Sequence, residues 1–315
     1  MTDARDRIVE ASVSLAWSLW GELGASTWER RHQGWSIELE PLIAFTAWLA
    51  EHDRRLLREA VDWCTANAAF VSLSQYRHVI AAPLWDDGDA FARLSATMSS
   101  LTGRSWPGSG REPRYEVALS GKSRLRELSV SSLLQLRLRA LFGVGTRAEL
   151  VRLMLLNPSQ EWSVAQLGER IAYTQRQAAT DLEMLVKAGF VERTGGGPSR
   201  YVLHDAAALR AVVGRLPNFA PRWLPTFQVL TSMAAALGAV ADGQLRQPDV
   251  EVARRLRLLE PAVVASGLSR PPSAEGGDVA DRTVQWALDV ADALANADPR
   301  VLPAQATVPA EAPAP

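Results

Sequence analysis

Three polar side chains, Arg176, Gln177 and Thr180, stand close together in the middle of this chain of 315 residues. Arginine and glutamine can each form paired hydrogen bonds with the edge of a nucleic-acid base, and threonine can bond a base edge or touch a methyl group. The same residue types also occur on solvated helix surfaces. What chemistry they perform therefore depends on the elements that hold them.

A helical projection at about 100° per residue gives this stretch two different faces. Ala178, Leu182 and Leu185 fall on one side and are predicted to be buried. The opposite side is predicted to be exposed and carries Arg176, Gln177, Thr180, Met184 and Lys187. Gln175 falls nominally on the buried side, but side chains at a helix start often protrude, and it remains a further candidate.

Three helix starts precede or open this stretch. A capping box places a hydroxyl and, three residues later, a carboxyl or amide group that together satisfy free amides. Its spacing occurs at Thr146 and Glu149, Ser163 and Gln166, and Thr174 and Gln177. Only residues 171–173 separate the last two helices, which is a tight turn. Apolar and polar residues then alternate over 190–193 and 199–203, which predicts two strands joined by a glycine-rich tip at 194–198. Residues 161–162 can add a short strand at the edge of this sheet.

This order of elements resembles the winged helix-turn-helix of bacterial transcriptional regulators of the broad ArsR and MarR type. The resemblance covers about residues 143–204 and rests on the capped helix after a tight turn and on the passage LVKAGFVER at 185–193. It implies a recognition helix at about 174–188 in the major groove of double-stranded DNA and a wing at 190–203 on the adjacent groove or backbone. It also implies a homodimer on a two-fold symmetric operator.

The resemblance assigns roles to the exposed residues. The base contacts are expected from Arg176, Gln177, Thr180 and, more weakly, Gln175. The contacts to the DNA backbone are expected from the helix starts at Ser163 and Thr174, from Lys187, and from the wing residues Arg193 and Arg200. A plain solvated hairpin would expose the same two wing arginines.

The distribution of charge bears on this interpretation. The whole chain has a net charge of −1, and residues 140–205 carry 7 basic and 7 acidic residues. Residues 104–139 carry 8 basic and 3 acidic residues, a balance of +5. Because a reader of duplex DNA usually presents a positive surface, this segment is expected to supply the charge through Arg124, Arg126, Arg137 and Arg139. Asp181 and Glu183 flank the recognition helix and would repel phosphates that they faced.

The remaining sequence predicts a mainly α protein, with helical N- and C-terminal regions around the central winged helix-turn-helix. The predicted divisions are a tryptophan-rich helical region at 1–103, a basic linker and long helix at 104–142, the central unit at 143–204, a helical region at 205–298 and a disordered tail at 299–315. The long helix is placed at 123–142, and residues 101–123 are predicted to form a loop or a short hairpin around 115–117. The other predicted helices are 3–20, 37–51, 53–70, 74–84, 89–101, 205–214, 221–241, 249–266 and 278–297.

Eight of the eleven tryptophans precede residue 110. At helical spacing they are interpreted as core, and a tryptophan-lined ligand cavity is the alternative. The single cysteine, Cys64, excludes an intrachain disulfide and indicates a reducing compartment, in which it is expected to be a buried structural thiol. The charged N-terminus lacks a signal peptide and no apolar run is long enough to span a membrane, so a cytoplasmic protein is expected.

Several chemistries have no matching pattern. No phosphate-binding glycine loop occurs, the four histidines lack zinc-site spacing, and Asp86, Asp87 and Asp89 lack the spacing of a calcium loop and are interpreted as a turn and helix cap. We therefore expect no enzyme, no cofactor and no metal. The sequence predicts a sequence-specific double-stranded DNA-binding transcriptional regulator, with a small molecule or a protein as a possible effector. The alternative is a protein-interaction or antitoxin-like module that uses the winged helix for protein contacts.

Overall fold

The computed structural model describes residues 2–85, 88–110, 113–195, 199–241, 248–273, 278–302 and 307–308. This part of the chain is mainly helical, with thirteen α-helices and one sheet of two antiparallel strands. The expectation of a mainly α protein with a small hairpin is confirmed at this level. Asp86, Asp87, the hairpin tip at 196–198 and most of the predicted tail (303–306 and 309–315) lie outside the described residues.

Five helices occupy the N-terminal region, at or near the predicted positions. They are α1 (Thr2–Leu23), α2 (Leu39–Leu49), α3 (Arg54–Ala66), α4 (Leu73–Ile80) and α5 (Gly88–Thr102). Side-chain caps explain two of the starts. Asp53 accepts from the backbone N–H of Leu56 at the start of α3, and Ser72 accepts from that of Gln75 at the start of α4.

The predicted long helix at 123–142 is wrong over its first half. Only a 3₁₀ turn at Ser131–Leu133 and α6 (Leu134–Phe142) are helical. The backbone of the preceding segment bonds to other elements, because Ser123 N–H donates to Asp62 and Arg124 N–H donates to the Gly24 carbonyl at 2.9 Å. Gly24 permits this approach, since a Cβ there would lie 1.8 Å from the Arg124 carbonyl oxygen. These external bonds replace those of a helix.

Of the two alternatives around 115–117, a loop or a short hairpin, the loop is present, because the described residues form no strand there. Tyr115 is buried instead, and its backbone N–H donates to Thr97 Oγ1 on α5 at 2.9 Å. The loop thus lies against α5 as an extended strap.

The central module, defined here as residues 143–204, contains α7 (Thr146–Leu156), α8 (Val164–Ile171), α9 (Gln175–Lys187), β1 (Val191–Thr194) and β2 (Arg200–Leu203). The strands pair from Val191 opposite Leu203 to Thr194 opposite Arg200. Residues 161–162 join the edge as a single bridge, in which Trp162 and Tyr201 exchange backbone hydrogen bonds of 2.9 and 2.8 Å.

Four more helices follow: α10 (Ala206–Val213), α11 (Trp223–Ala241), α12 (Pro248–Ser266) and α13 (Val279–Ala295). The last three pack with α1–α5 around one large core, where the rings of Phe45 and Phe227 stack at 4.1 Å. A second core lies within the central module and α10. Helix α6 joins the two, because Leu136 belongs to the large core and Leu134 and Leu138 to the small one. We call α1–α6 with α11–α13 the helical body.

The N-terminal tryptophans are mostly core residues, as one of the two interpretations predicted. Trp20, Trp63 and Trp106 are all fully buried, and the cavity beside Trp20 measures about 10 Å³, room for no more than a water molecule. Trp28 is the exception among them and is 97% exposed. Cys64 is buried and free, and burial raises the pKa of its thiol, which fits a structural role. Among the described helices, none has both the length and the apolar character that a membrane crossing requires.

Candidate nucleic-acid interface

Helix α9 has the two faces that its sequence predicts. Ala178, Leu182 and Leu185 are buried in the core of the central module. The opposite side, which we call the outer face of α9, is exposed along its length. It consists of Gln175, Arg176, Gln177, Thr180, Met184 and Lys187. Gln175 is therefore exposed together with the other base-contact candidates.

Two of the three predicted caps are present. At the start of α8, Ser163 Oγ accepts from Gln166 N–H at 3.2 Å and Gln166 Oε1 accepts from Ser163 N–H at 2.9 Å, a complete capping box. At the start of α9, Thr174 Oγ1 accepts from Gln177 N–H at 3.3 Å and donates to Gln177 Oε1 at 2.9 Å. This leaves the side-chain amide of Gln177 as a free donor on the outer face.

The predicted box at Thr146 and Glu149 is wrong. Gly145 is the N-cap of α7 and makes no side-chain bond. Glu149 is fully buried and accepts from Arg139 at 2.7 Å and from Arg152 at 2.8 Å. Two charged partners outweigh one backbone amide, so the carboxylate turns inward rather than to the helix start.

The wing arginines are exposed but engaged with neighbours on the surface. Arg193 donates to Ser199 Oγ and lies 3.8 Å from Glu183, and Arg200 donates to Gln166 Oε1 at 3.3 Å. Lys187, at the end of α9, forms no hydrogen bond or ion pair within the described residues.

Both acidic residues that flank the outer face have partners. Asp181 pairs with Arg147 at 2.9 Å, and Glu183 accepts from the Tyr201 hydroxyl at 3.0 Å. Their charges are thus partly compensated within the module. Arg147 is engaged in the ion pair with Asp181. Met184 adds an apolar patch to the outer face and is 48% exposed.

The four arginines expected to supply charge to this surface are engaged elsewhere in the described structure, contrary to the expectation. Arg139 is buried between Glu40 and Glu149, each 2.7 Å away. Arg137 is buried and donates to the carbonyls of Val213 and Arg215 at 2.9 Å. Of the other two, Arg126 pairs with buried Glu22 at 2.7 Å and Arg124 donates to the carbonyls of Gly121 and Ser123. Arg126 thus pairs within the helical body, and Arg124 bonds within its own loop. Arg137 joins α6 to the end of α10, and Arg139 joins the helical body to the central module.

The side of the module opposite the outer face is fixed to the helical body. Arg139 of α6 joins Glu40 of α2 to Glu149 of α7, and Arg152 of α7 pairs with Glu38 at 3.0 Å. Burial raises the pKa of Glu149, but Arg139 and Arg152 lower it by more, so its pKa lies below the usual value and the group stays ionised.

The turn between α8 and α9 is anchored as well. The Tyr173 hydroxyl lies 2.9 Å from Ser72 Oγ, and Gln75 Nε2 donates to the Ile171 carbonyl at 3.0 Å. Sequence inspection missed Ser72 and Gln75 because they lie about a hundred residues from their partners. Since the turn is held by α4, the direction of α9 relative to the helical body is set at this point.

Comparison of the chain with family models, with curated proteins and with solved structures found no match. Within the described residues, no three histidine, cysteine or carboxylate side chains come together in a way that would hold a metal ion. The geometry of the central module and its surroundings therefore provides the whole basis for assigning a function.

Proposed function

We propose that the protein is a sequence-specific double-stranded DNA-binding transcriptional regulator whose central module is a winged helix-turn-helix of the ArsR and MarR type. The observation that carries this is the outer face of α9. It presents a row of polar side chains on a capped helix beside a two-stranded hairpin, while the other side of the module is anchored to the helical body. In this arrangement α9 enters the major groove and the hairpin lies on the adjacent groove or backbone.

The charge of the proposed surface comes from the module itself. Arg176 and Lys187 lie on α9, and Arg193 and Arg200 lie on the hairpin. The amides at the starts of α8 and α9, next to Ser163 and Thr174, can bind phosphate in addition. A single helix with so few cations gains little affinity, so we propose that a homodimer in the cytoplasm contacts two half-sites.

Selection from random duplex DNA, followed by footprinting on the gene's own upstream region, tests the proposal. The Arg176→Ala, Gln177→Ala double variant is expected to bind the selected sequence at least about tenfold more weakly, because each bidentate base contact contributes about 1–3 kcal/mol. The matched control is Arg77→Ala, which removes an exposed arginine of α4. Circular dichroism checks that the variants fold.

The base contacts are distinguished from phosphate contacts by a second variant. Lys187→Ala is expected to weaken binding to all DNA sequences alike. It should also reduce the slope of the logarithm of the binding constant against the logarithm of the salt concentration by about one. If no sequence is enriched, or if the double variant binds the enriched sequence as well as the wild type does, the proposed base contacts are wrong.

A protein-interaction or antitoxin-like module is the second candidate, and Met184 is the observation that favours it. A half-exposed methionine in the centre of a helix face is typical of a surface that packs against a protein. The same variants separate the two candidates. The protein-interaction module would be supported by two results together. The wild type would enrich no DNA sequence, and a protein partner that binds the wild type would not bind Met184→Glu.

A further inference from the structure

A cleft of about 470 Å³ lies where the central module meets the helical body. Its lining residues come from the ends of α7, α8 and α12, from the starts of α2 and α11, and from α4. Its volume falls within the range of about 300–1,000 Å³ that small-molecule sites occupy. We call it the junction cleft.

The lining combines apolar and charged groups, as in sites for amphipathic ligands. Leu153 and Leu156 of α7 and Pro221 and Leu224 near the start of α11 provide apolar contact surface. The charged groups are three arginines and three glutamates: Arg152, Arg170, Arg222, Glu38, Glu40 and Glu169.

Two of the glutamates are already satisfied. Glu38 accepts from Arg152 at 3.0 Å and from the backbone N–H of Trp223 at 3.2 Å. Glu40 accepts from Arg139 at 2.7 Å and from the backbone N–H of Ser72 at 2.8 Å. Both carboxylates are therefore already paired, although the charge of Glu38 also acts on Arg170.

The two remaining arginines, Arg170 and Arg222, form no ion pair with the described residues. The side chain of Arg170 forms no hydrogen bond or ion pair with any described residue, and the side chain of Glu169 beside it forms none either. Among the described residues, the Arg222 side chain donates to the carbonyl of Ala265 alone, at 2.9 Å. Burial and then the nearby charge of Arg222 lower the pKa of Arg170 to about 10. The guanidinium groups of Arg170, which is exposed, and Arg222, which is half-buried, repel each other, and a bound anion would relieve that repulsion.

We propose that the junction cleft binds a small organic anion, whose carboxylate or phosphate lies between Arg170 and Arg222 and whose apolar part packs against Leu153, Pro221 and Leu224. Arginine favours planar, bidentate contacts with both kinds of oxyanion. The ligand would touch the central module through α8 and the helical body through the start of α11.

Such a ligand is placed to influence α9. Arg170 belongs to the last turn of α8 and immediately precedes Ile171, whose carbonyl is held by Gln75 of α4. A ligand that draws Arg170 toward Arg222 therefore acts on the anchored turn from which α9 starts. We infer that ligand binding changes the affinity of α9 for DNA, an inference that rests on the proposed function.

The binding site is tested first, without DNA. Isothermal titration calorimetry and ligand-observed NMR would compare benzoate, indole-3-acetate and phenyl phosphate with their uncharged amide or alcohol counterparts. We expect at least one of the acids to bind the wild type more tightly than its uncharged counterpart. Arg170→Gln should weaken that binding about tenfold or more, and it removes no contact of the described fold. Arg222→Gln should act in the same direction, and the control Arg77→Gln should have no effect.

Three results would overturn the site. One is that no acid binds better than its uncharged counterpart. Another is that Arg170→Gln binds the acids as well as the wild type does. A third is equal affinity for inorganic phosphate and phenyl phosphate, which would show that the apolar wall contributes nothing.

The coupling is tested next, with the acid that binds best in the first experiment and with the selected DNA. Allosteric couplings are typically 5–150-fold in affinity, so saturating ligand should change the dissociation constant of DNA by at least about fivefold in the wild type and not in Arg170→Gln. Equal DNA affinity with and without ligand would overturn the coupling. Because the ligand titration is done without DNA, a failure of the proposed DNA binding would not be mistaken for a failure of the site.

Discussion

His32 is a buried imidazole whose protonation state is set by its three neighbours. Its Nε2 lies 2.9 Å from the Leu294 carbonyl, which can only accept, so Nε2 carries the proton and Nδ1 accepts from Ser18 Oγ at 2.8 Å. Ser18 Oγ in turn accepts from the backbone N–H of Arg31 at 2.7 Å. The neutral ring satisfies all of these bonds. Burial lowers the pKa of His32 to about 4, and the charge of Arg31 acts in the same direction.

This pKa predicts a loss of stability in mild acid. Because the folded-state pKa of about 4 lies below the unfolded-state value of about 6.5, the unfolded chain binds the proton first as the pH falls. The contribution is complete above about pH 6.5 and is lost progressively toward pH 4, on the order of 3 kcal/mol in total. Urea unfolding at pH values from 7.5 to 5 would measure the part that is lost above pH 5, about 2 kcal/mol.

His52 contributes with the same sign, because burial lowers its pKa below the usual value as well. The contribution of His32 is therefore obtained by comparison with His32→Gln. It is the difference between the two proteins in how steeply the free energy of unfolding changes with pH. An imidazole signal of His32 that titrates near pH 6.5 by NMR would contradict the prediction.

Residue-level properties were predictable from the sequence where they depend on local geometry. The buried side of α9 follows from helical periodicity alone, and Ala178, Leu182 and Leu185 lie where that periodicity puts them. The burial of Arg139 between two carboxylates was not predictable in the same way. Its partner Glu40 is 99 residues distant, and a cation in the sequence looks the same whether it faces solvent or a buried carboxylate.

At the scale of elements, the turn between α8 and α9 contains a residue in an unusual conformation. Ala172 ends α8 with φ 58° and ψ 43°, in the left-handed region. Glycine is the common residue at such a position, because a Cβ there costs about 1–2 kcal/mol. The same residue is the link between the anchored Ile171 and the start of α9.

We predict that Ala172→Gly stabilises the protein by up to about 1 kcal/mol, because the relief of strain exceeds the extra flexibility of the unfolded chain. The measurement is the midpoint of urea unfolding, compared between variant and wild type with the same dependence of the unfolding free energy on urea concentration. The matched control is Ala188→Gly at the end of α9, where φ is −80° and glycine is expected to give no gain. A lower midpoint for Ala172→Gly than for the wild type would refute the interpretation.

The positions of most helices followed from local signals, and the exceptions share one cause. Asp53 and Ser163 begin helices as their sequence context predicts, because the amides that they cap are three residues away. The segment at 123–130 was predicted as helix and is not, since its amides bond to residues of α3 and of the segment after α1. The Thr146 box failed for a similar reason, because Glu149 has stronger partners on another element.

At the scale of the whole molecule, two cores are joined through α6 and through the buried charges around Arg139. The guanidinium of Arg139 contacts a carboxylate from each side, Glu40 of the helical body and Glu149 of the central module. Gln135 also bridges them, since it accepts from Leu39 N–H at 2.9 Å and donates to Glu149 at 3.2 Å. Removal of the cation would leave two buried carboxylates facing each other across this boundary.

Arg139→Met is therefore expected to lower the free energy of unfolding by about 3–5 kcal/mol, the usual effect of breaking a buried ion pair from one side. Urea unfolding would be followed by circular dichroism and by tryptophan fluorescence, because the large core holds most of the buried tryptophans. We expect the two signals to separate in the variant, since the module loses its main polar link to the body.

Glu149→Gln added to Arg139→Met is expected to recover part of the loss, because it removes one of the two buried carboxylates that Arg139 had bridged. Arg77→Gln, an exposed arginine without a partner among the described residues, serves as the control and should change stability by no more than about 0.5 kcal/mol. If Arg139→Met stays within about 1 kcal/mol of the wild type and both signals still coincide, the two cores are held together by apolar contacts of α6 rather than by this network.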